Sequence, residues 1–118
     1  MKIGELSRRS GVSARSLRYY EQHGLIASER AANGYRVYGD DVVERAHSAH
    51  LLFELGVHRE LVRAVLACAS DVSVEVHRAT RDQLAEVRDR MGDRITELSR
   101  AHEALSSVVD RVSLTKDV

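Results

Sequence analysis

The stretch Val12-Ser13-Ala14-Arg15-Ser16-Leu17-Arg18-Tyr19-Tyr20-Glu21, followed by Asn33-Gly34-Tyr35-Arg36-Val37-Tyr38, decides how this 118-residue chain is read. It sets a basic, aromatic helix face close to a basic, aromatic hairpin. Successive helical residues turn by about 100°, so Leu17 faces a core together with Ala14 and part of Tyr20. Arg15, Tyr19 and Gln22 then point away from that core, with Ser16 and Arg18 on their flanks. Ser13 suits the N-cap, because its hydroxyl can accept a hydrogen bond from an orphan backbone N–H. Taken alone, this face fits a helix laid in a groove and an ordinary solvated helix equally well.

Working outward, Ile3 to Ser10 predicts a short helix with Ile3 and Leu6 inward, and Gly11 makes the turn that follows. The Ser13 helix runs to about His23 and stops at Gly24. Two short helices joined at a glycine turn are the pattern of a helix-turn-helix. Asn33-Gly34 is a strong hairpin signal because both residues tolerate positive φ. Tyr35 and Val37 alternate with Arg36 and Tyr38 as a short strand should, and a hairpin in this place reads as a wing. At least one of Tyr35 and Val37 is expected in the core.

Asp40 or Asp41 is expected to cap a third helix, which runs to about Leu55 and ends at Gly56, with Val42, Ala46, Ala49 and Phe53 as its apolar stripe. A fourth helix is expected from about Arg59 to Ala69, with Leu61, Val62, Val65 and Leu66 inward. His58 makes a poor N-cap for it, so that start is expected to fray. The last element is long. From about Ser73 to Val112 the only helix-weakening residue is Gly92, which costs about 1 kcal/mol relative to Ala. Leu84, Met91, Leu98 and Leu105 recur at intervals of seven, and Val87 and Ile95 add neighbouring apolar positions. This is a coiled-coil seam. A long helix with one apolar stripe is unstable alone in water, and no second long helix exists in the chain. The expected partner is the same helix of a second copy, antiparallel or parallel.

The fold class expected is therefore mainly α: a winged helix-turn-helix with a small β-hairpin wing, linking helices and a long C-terminal coiled-coil dimerisation helix. The expected boundaries are 1–70 for the head with its linking helices, 71–113 for the dimerisation helix and 114–118 for a short tail.

The formal net charge is zero, but it is unevenly spread. Residues 1–38 hold seven Lys/Arg against three Glu, and residues 39–118 hold eleven against fifteen acids. A basic head on an acidic body suggests that only the head touches a polyanion. There is no Trp and no Pro, and only five aromatics (four Tyr and one Phe), so helix pairing must supply much of the burial. One cysteine, Cys68, excludes an internal disulfide and a thiolate cluster within one chain. No apolar run approaches a membrane span and no signal peptide opens the chain, so a reduced cytoplasm is the expected setting and no membrane is an expected partner.

The run "IGELSRRSGVSARSLRYYEQHGLI", then "NGYRVY", then an acidic residue and a helix ending in "LG", resembles the MerR family of bacterial transcription regulators. The resemblance covers residues 1 to about 70 in detail and the long helix by architecture. It implies a homodimer paired through antiparallel helices. It implies binding to double-stranded promoter DNA at a pseudo-palindromic site between promoter elements whose spacer is unusually long. An effector then bends and untwists that DNA, so that RNA polymerase, an indirect partner, engages both elements. Arg18 and Tyr19 match the family's recognition-helix contacts. Ser13 and Arg15 match base-edge or nearby phosphate positions, and Ser16, which flanks the outward face, is expected among the DNA-contacting residues. Asn33 and Gly34 match the wing tip, and Tyr35, Arg36 and Tyr38 match wing positions, the first two of these three being the better matches for DNA contact.

Two departures stand out. Ala27-Ser28 replace the Pro usual after the "GLI" segment, which bears on the wing's entry angle. The metal-sensing and redox branches of the family place cysteines near the start of the long helix and beyond its end; this chain has none there, and Leu114-Thr115-Lys116-Asp117-Val118 holds no soft ligand. The C-terminal domain of the drug-binding branches is likewise not expected in a chain of this length. His47 and His50 lie three apart on a helix, but no Cys, Asp or Glu at close spacing is read as completing a metal site. His77 and a partner's His102 could meet only across an interface. Cys68 in "VLACA" reads as a small buried residue. No nucleophilic triad, catalytic carboxylate pair or phosphate loop appears. No enzyme, cofactor or metal is expected.

Overall fold

The computed structural model describes residues 1–69 and 73–116, with side chains as far as Ser113. Asp117 and Val118 and the side chains of Leu114, Thr115 and Lys116, which make up the expected tail, lie outside the described residues. The described elements run α1 (Ile3–Ser10), α2 (Ala14–Gln22), β1 (Glu29–Arg30), β2 (Arg36–Val37), α3 (Asp41–Glu54), α4 (Arg59–Ala67) and α5 (Val74–Lys116). The protein is mainly α, with one antiparallel hairpin in which Glu29 faces Val37 and Arg30 faces Arg36. No described helix is long and apolar enough to cross a membrane.

The chain divides into two compact units, Met1–Thr80 and Arg81–Val118. The boundary expected at 70/71 falls on residues outside the described set. The first turns of α5 belong to the first unit, where Thr80 is buried.

In the first unit α1 and α2 pack on α3, and α3 packs on α4. Leu6, Val12, Leu17, Leu25, Leu61 and Val62 are all but completely buried and form its core. Burying one such side chain is worth about 1.5–3 kcal/mol. The α1–α2 turn works because Gly11 adopts φ 76°, a left-handed conformation that L-residues resist. Ser13 then caps α2, its hydroxyl accepting from the Ser16 N–H at 3.1 Å.

Three local expectations change. Asp40 makes no side-chain cap on α3; its carboxylate instead takes the Arg9 guanidinium at 3.0 Å, so it ties α1 to the start of α3. His58 does cap α4, its Nδ1 accepting from the Leu61 N–H at 3.3 Å. An imidazole nitrogen can fill the acceptor role usually given to a hydroxyl or carboxylate. Cys68 is half-buried rather than enclosed, because α4 ends at Ala67 and leaves it at the C-cap.

Arg45 holds the linking helices on the head. Its Nε donates to the Leu25 carbonyl at 2.7 Å and its Nη1 to the Leu66 carbonyl at 3.2 Å. One guanidinium thereby ties a loop carbonyl to a carbonyl in the last turn of α4, which also receives the Ala69 N–H at 3.3 Å.

The second unit consists of α5 residues. Within it Met91, Ile95, Leu98, Leu105 and Val112 are exposed, Ile95 and Leu98 by 66% and 72%, while Leu84 and Val87 are half-buried. The heptad stripe is thus uncovered along most of its length.

Candidate nucleic-acid interface

On α2 the residue types sort as helical geometry requires. Leu17 and Tyr20 are buried, while Arg15, Arg18, Tyr19 and Gln22 are exposed. Among the described residues no acid pairs with Arg15 or Arg18. Ser13 and Ser16 are occupied with each other. The Ser13 Oγ receives the Ser16 N–H and donates to the Ser16 hydroxyl at 3.1 Å, so both serve the helix start.

Tyr19 is held rather than loose. Its ring lies 4.4 Å from His23 and edge-on to Phe53 at 6.2 Å, and its hydroxyl accepts from Arg59 Nη1 at 3.2 Å. Arg63 Nη2 donates to the His23 carbonyl at 2.6 Å, where a cation complements the C-terminal end of α2. Arg59 and Arg63 therefore join the basic surface from α4. Neither residue is marked as part of that surface by the sequence alone. Their only signal is a pair of arginines four apart just after the Gly56 turn, and nothing local says that α4 lands beside α2.

The hairpin differs from a two-residue turn. The Ala31 N–H donates to the Tyr35 carbonyl at 2.8 Å and the Gly34 N–H to the Ala31 carbonyl at 2.9 Å. That leaves a three-residue loop, Ala32-Asn33-Gly34. Only Gly34 takes a positive φ, 85°, the bulged form in which a turn is followed by one left-handed residue. Asn33 Oδ1 receives the Tyr35 N–H at 3.2 Å, so its side chain stiffens the tip. Arg30 Nη1 donates to the Gly34 carbonyl at 2.9 Å. Tyr35 is 62% exposed and Lys2 Nζ sits 5.1 Å from its ring centroid, a cation–π pair. Val37 is half-buried, so it is the strand residue that leans inward.

Tyr38 is a correction to its placement with the DNA-facing residues. It is buried, 3% exposed, and its hydroxyl donates to Glu21 Oε1 at 2.5 Å. Met1 and Tyr38 also exchange backbone hydrogen bonds. Burial, the hydrogen bond to Glu21 and the Glu21 charge push its hydroxyl up to about 12. Tyr38 anchors the wing to the head. For Glu21, burial favours the neutral form. Hydrogen bonds from Tyr38 and Ser28 and the charges of Arg36 and Arg30 outweigh this and hold the carboxyl below its ordinary range.

Lys2, Arg18, Arg30 and Arg36 line a concavity of about 430 Å³ between α1, α2 and the hairpin, with Tyr35 on its rim. Four cations around one hollow suit an anionic backbone, and Arg can fork onto phosphate oxygens.

The two histidines on α3 have partners. His47 Nδ1 lies 3.2 Å from the Ser10 carbonyl; His50 lies 3.4 Å from the Tyr20 hydroxyl and 3.0 Å from Glu54. Glu54, one helical turn on from His50, is a close acid after all. Even so, the described residues contain no group of three His, Cys, Asp or Glu arranged to hold a metal ion.

Known proteins share this architecture. The model of the MerR family regulatory protein matches residues 2–38. A solved protein of Listeria monocytogenes described as a MerR family transcriptional regulator superposes with a TM-score of 0.71 at 28% identity, over 93% of this chain and 83% of that one. The heavy metal-dependent transcription regulator 2 of Rhizobium meliloti is 34% identical over 110 residues, 90% of this chain and 74% of that protein. The HTH-type transcriptional regulator HmrR of Rhizobium leguminosarum bv. viciae is 39% identical over 108 residues, 89% of this chain and 83% of the relative. These relatives regulate transcription and are not enzymes. Identity at that level over 89% of the chain is kinship rather than likeness of fold alone: this chain belongs to the MerR family of transcription regulators.

Proposed function

We propose that two copies of this chain pair along α5 and set their heads on one promoter site, with α2 in the major groove and the β1–β2 hairpin on the flanking backbone. In this reading Arg15, Arg18 and Tyr19 of α2, with Ser13 and Ser16 at its start, face the duplex. Asn33, Gly34, Tyr35 and Arg36 form the wing contact. The bound dimer distorts the DNA in response to a signal, and RNA polymerase meets the altered promoter rather than the protein itself.

The observation that carries this reading is the pair Arg15 and Arg18, exposed on α2 with no acidic partner among the described residues. An isolated arginine fork matches guanine edges and phosphates alike. The dimer rests on the exposed stripe of Met91, Ile95, Leu98 and Leu105. Joining two copies along Leu84, Val87 and these four positions would remove it from water.

Titration of the full chain against a fragment spanning its own promoter tests the proposal. Binding should saturate at two chains per site and weaken steeply with salt. Arg18→Ala should weaken it, and should lower the salt slope by about one. Unchanged affinity and slope in that variant would assign the wrong helix face.

A second reading, a regulator switched by abundance or a partner protein rather than by a small effector, is favoured by one observation. Cys68 is the single cysteine, and the described residues assemble no metal-holding group of three side chains. The name of the Rhizobium meliloti relative points the other way, to a heavy metal. Promoter binding and DNA distortion measured with and without zinc, copper and mercury separate the two readings: a metal-dependent change supports the first and none supports the second.

A further inference from the structure

One carboxylate sits where a DNA-binding surface would least want a negative charge. Glu21 occupies the last turn of α2, and its side chain is only 17% exposed. Three separate parts of the chain converge on it. The Tyr38 hydroxyl donates to Oε1 at 2.5 Å, the Ser28 hydroxyl donates to Oε2 at 2.9 Å, and Arg36 Nε stands 3.5 Å from Oε2. Ser28 precedes β1, Arg36 lies in β2 and Tyr38 follows β2, so one side chain of α2 grips both stems of the hairpin.

The hairpin needs such a grip. Its strands are two residues each, and a two-stranded ribbon is marginal in water even when longer. Its own ladder cannot set its angle to α2. Arg36 shows the consequence. It is half-exposed, its Nε edge faces Glu21, and its terminal amino groups have no hydrogen-bond partner among the described residues. The guanidinium is therefore oriented from one edge while the other edge stays available.

We infer that Glu21 is a positioning residue: its ionised carboxylate clamps the wing to the recognition helix and presents Arg36 to the DNA backbone. The inference deepens the proposed function and rests on it for the role of Arg36, while the clamp itself can be measured without DNA.

Bare electrostatics and the clamp predict opposite signs. Removing an acid from a surface that meets phosphates should tighten binding. Removing the clamp should loosen it. In the full chain with its promoter fragment, Glu21→Gln is expected to weaken binding about tenfold, the size of one charge-assisted hydrogen bond. Arg36→Ala should then cost much less in the Glu21→Gln background than in the natural chain. Binding by Glu21→Gln as tight as, or tighter than, the natural chain would overturn the inference. So would an equal effect of Arg36→Ala in both backgrounds.

Hydrogen exchange at the Ala31 and Gly34 amides, two bonded N–H groups of the hairpin, supplies the DNA-free arm. Exchange about tenfold faster in Glu21→Gln is expected, and unchanged exchange overturns the clamp. Ser28→Ala, which leaves the charge in place, should fall between the two and keeps the test open if Glu21→Gln folds poorly. Failure of the natural chain to bind promoter DNA would sink the proposed function, and the exchange result would still decide the clamp.

Discussion

The Tyr19 hydroxyl on α2 accepts a hydrogen bond from the Arg59 guanidinium on α4 at 3.2 Å, across 40 residues of sequence. With His23 against its ring, Tyr19 is fixed from two sides while it stays 39% exposed. Helix α2 is thus braced at its C-terminal half by α4, and Glu21 ties it to the hairpin. Pre-positioned side chains bind with less loss of rotamer freedom.

Tyr19→Phe and Arg59→Ala are each expected to weaken promoter binding, and the double variant should lose less than the product of the two effects, because each breaks the same contact. Tyr19→Phe should leave folding stability within about 0.5 kcal/mol, as for other surface changes. Multiplicative losses in affinity, measured by titration at fixed salt, would separate the two residues.

Tyr38 is expected to make the head sensitive to base. Its hydroxyl is pushed from 10.0 up to about 12 by burial and by Glu21. A raised value in the folded state means that the contribution is fully present below the ordinary value near 10 and is lost as pH climbs through about 12. Two units correspond to about 3 kcal/mol. Denaturant unfolding between about pH 9 and 12 should show the natural chain losing stability on that scale, and Tyr38→Phe should flatten the loss. Parallel curves for the two proteins would mean that Tyr38 ionises as freely when folded as when unfolded.

Much of the fold could be read from the chain because its signals are local. Ser13 caps α2 through a bond that spans three residues, and Gly11 turns the backbone by itself. The core face of α2 follows from helical period alone, so Leu17 and Tyr20 fall inward as read. The wing's tip was legible in Asn33-Gly34, but its loop length was not, because the choice between two and three residues depends on which partner carbonyl each N–H finds. Tyr38 was misplaced for a related reason. Strand alternation ends with β2 at Val37, and the next side chain turns toward Glu21, a residue 17 positions back. Arg59 and Arg63 reach the candidate interface beside α2 through the packing of α3 on α4, which no spacing in the sequence encodes. His58 was underrated because capping preferences rank hydroxyls and carboxylates first, while an imidazole placed correctly accepts the same N–H.

The seam of α5 yields the most direct test of assembly. Leu98 is 72% exposed and Ile95 66%, so a charge placed there costs the single chain little. In a paired helix the same charge would enter an apolar interface, and symmetry would repeat it in the second copy. Leu98→Asp should therefore leave monomer helix content nearly unchanged per residue of the head while abolishing pairing. Losing two buried leucines is worth about 3–6 kcal/mol, at least a hundredfold in the dimerisation constant. Sedimentation at micromolar concentration should find the natural chain as a dimer and Leu98→Asp as a monomer. The melting temperature of the natural chain should rise with protein concentration and that of the variant should not. Promoter binding by the variant should also lose its two-chain stoichiometry. A Leu98→Asp protein that still sediments as a dimer would place the pairing surface elsewhere than on the heptad stripe.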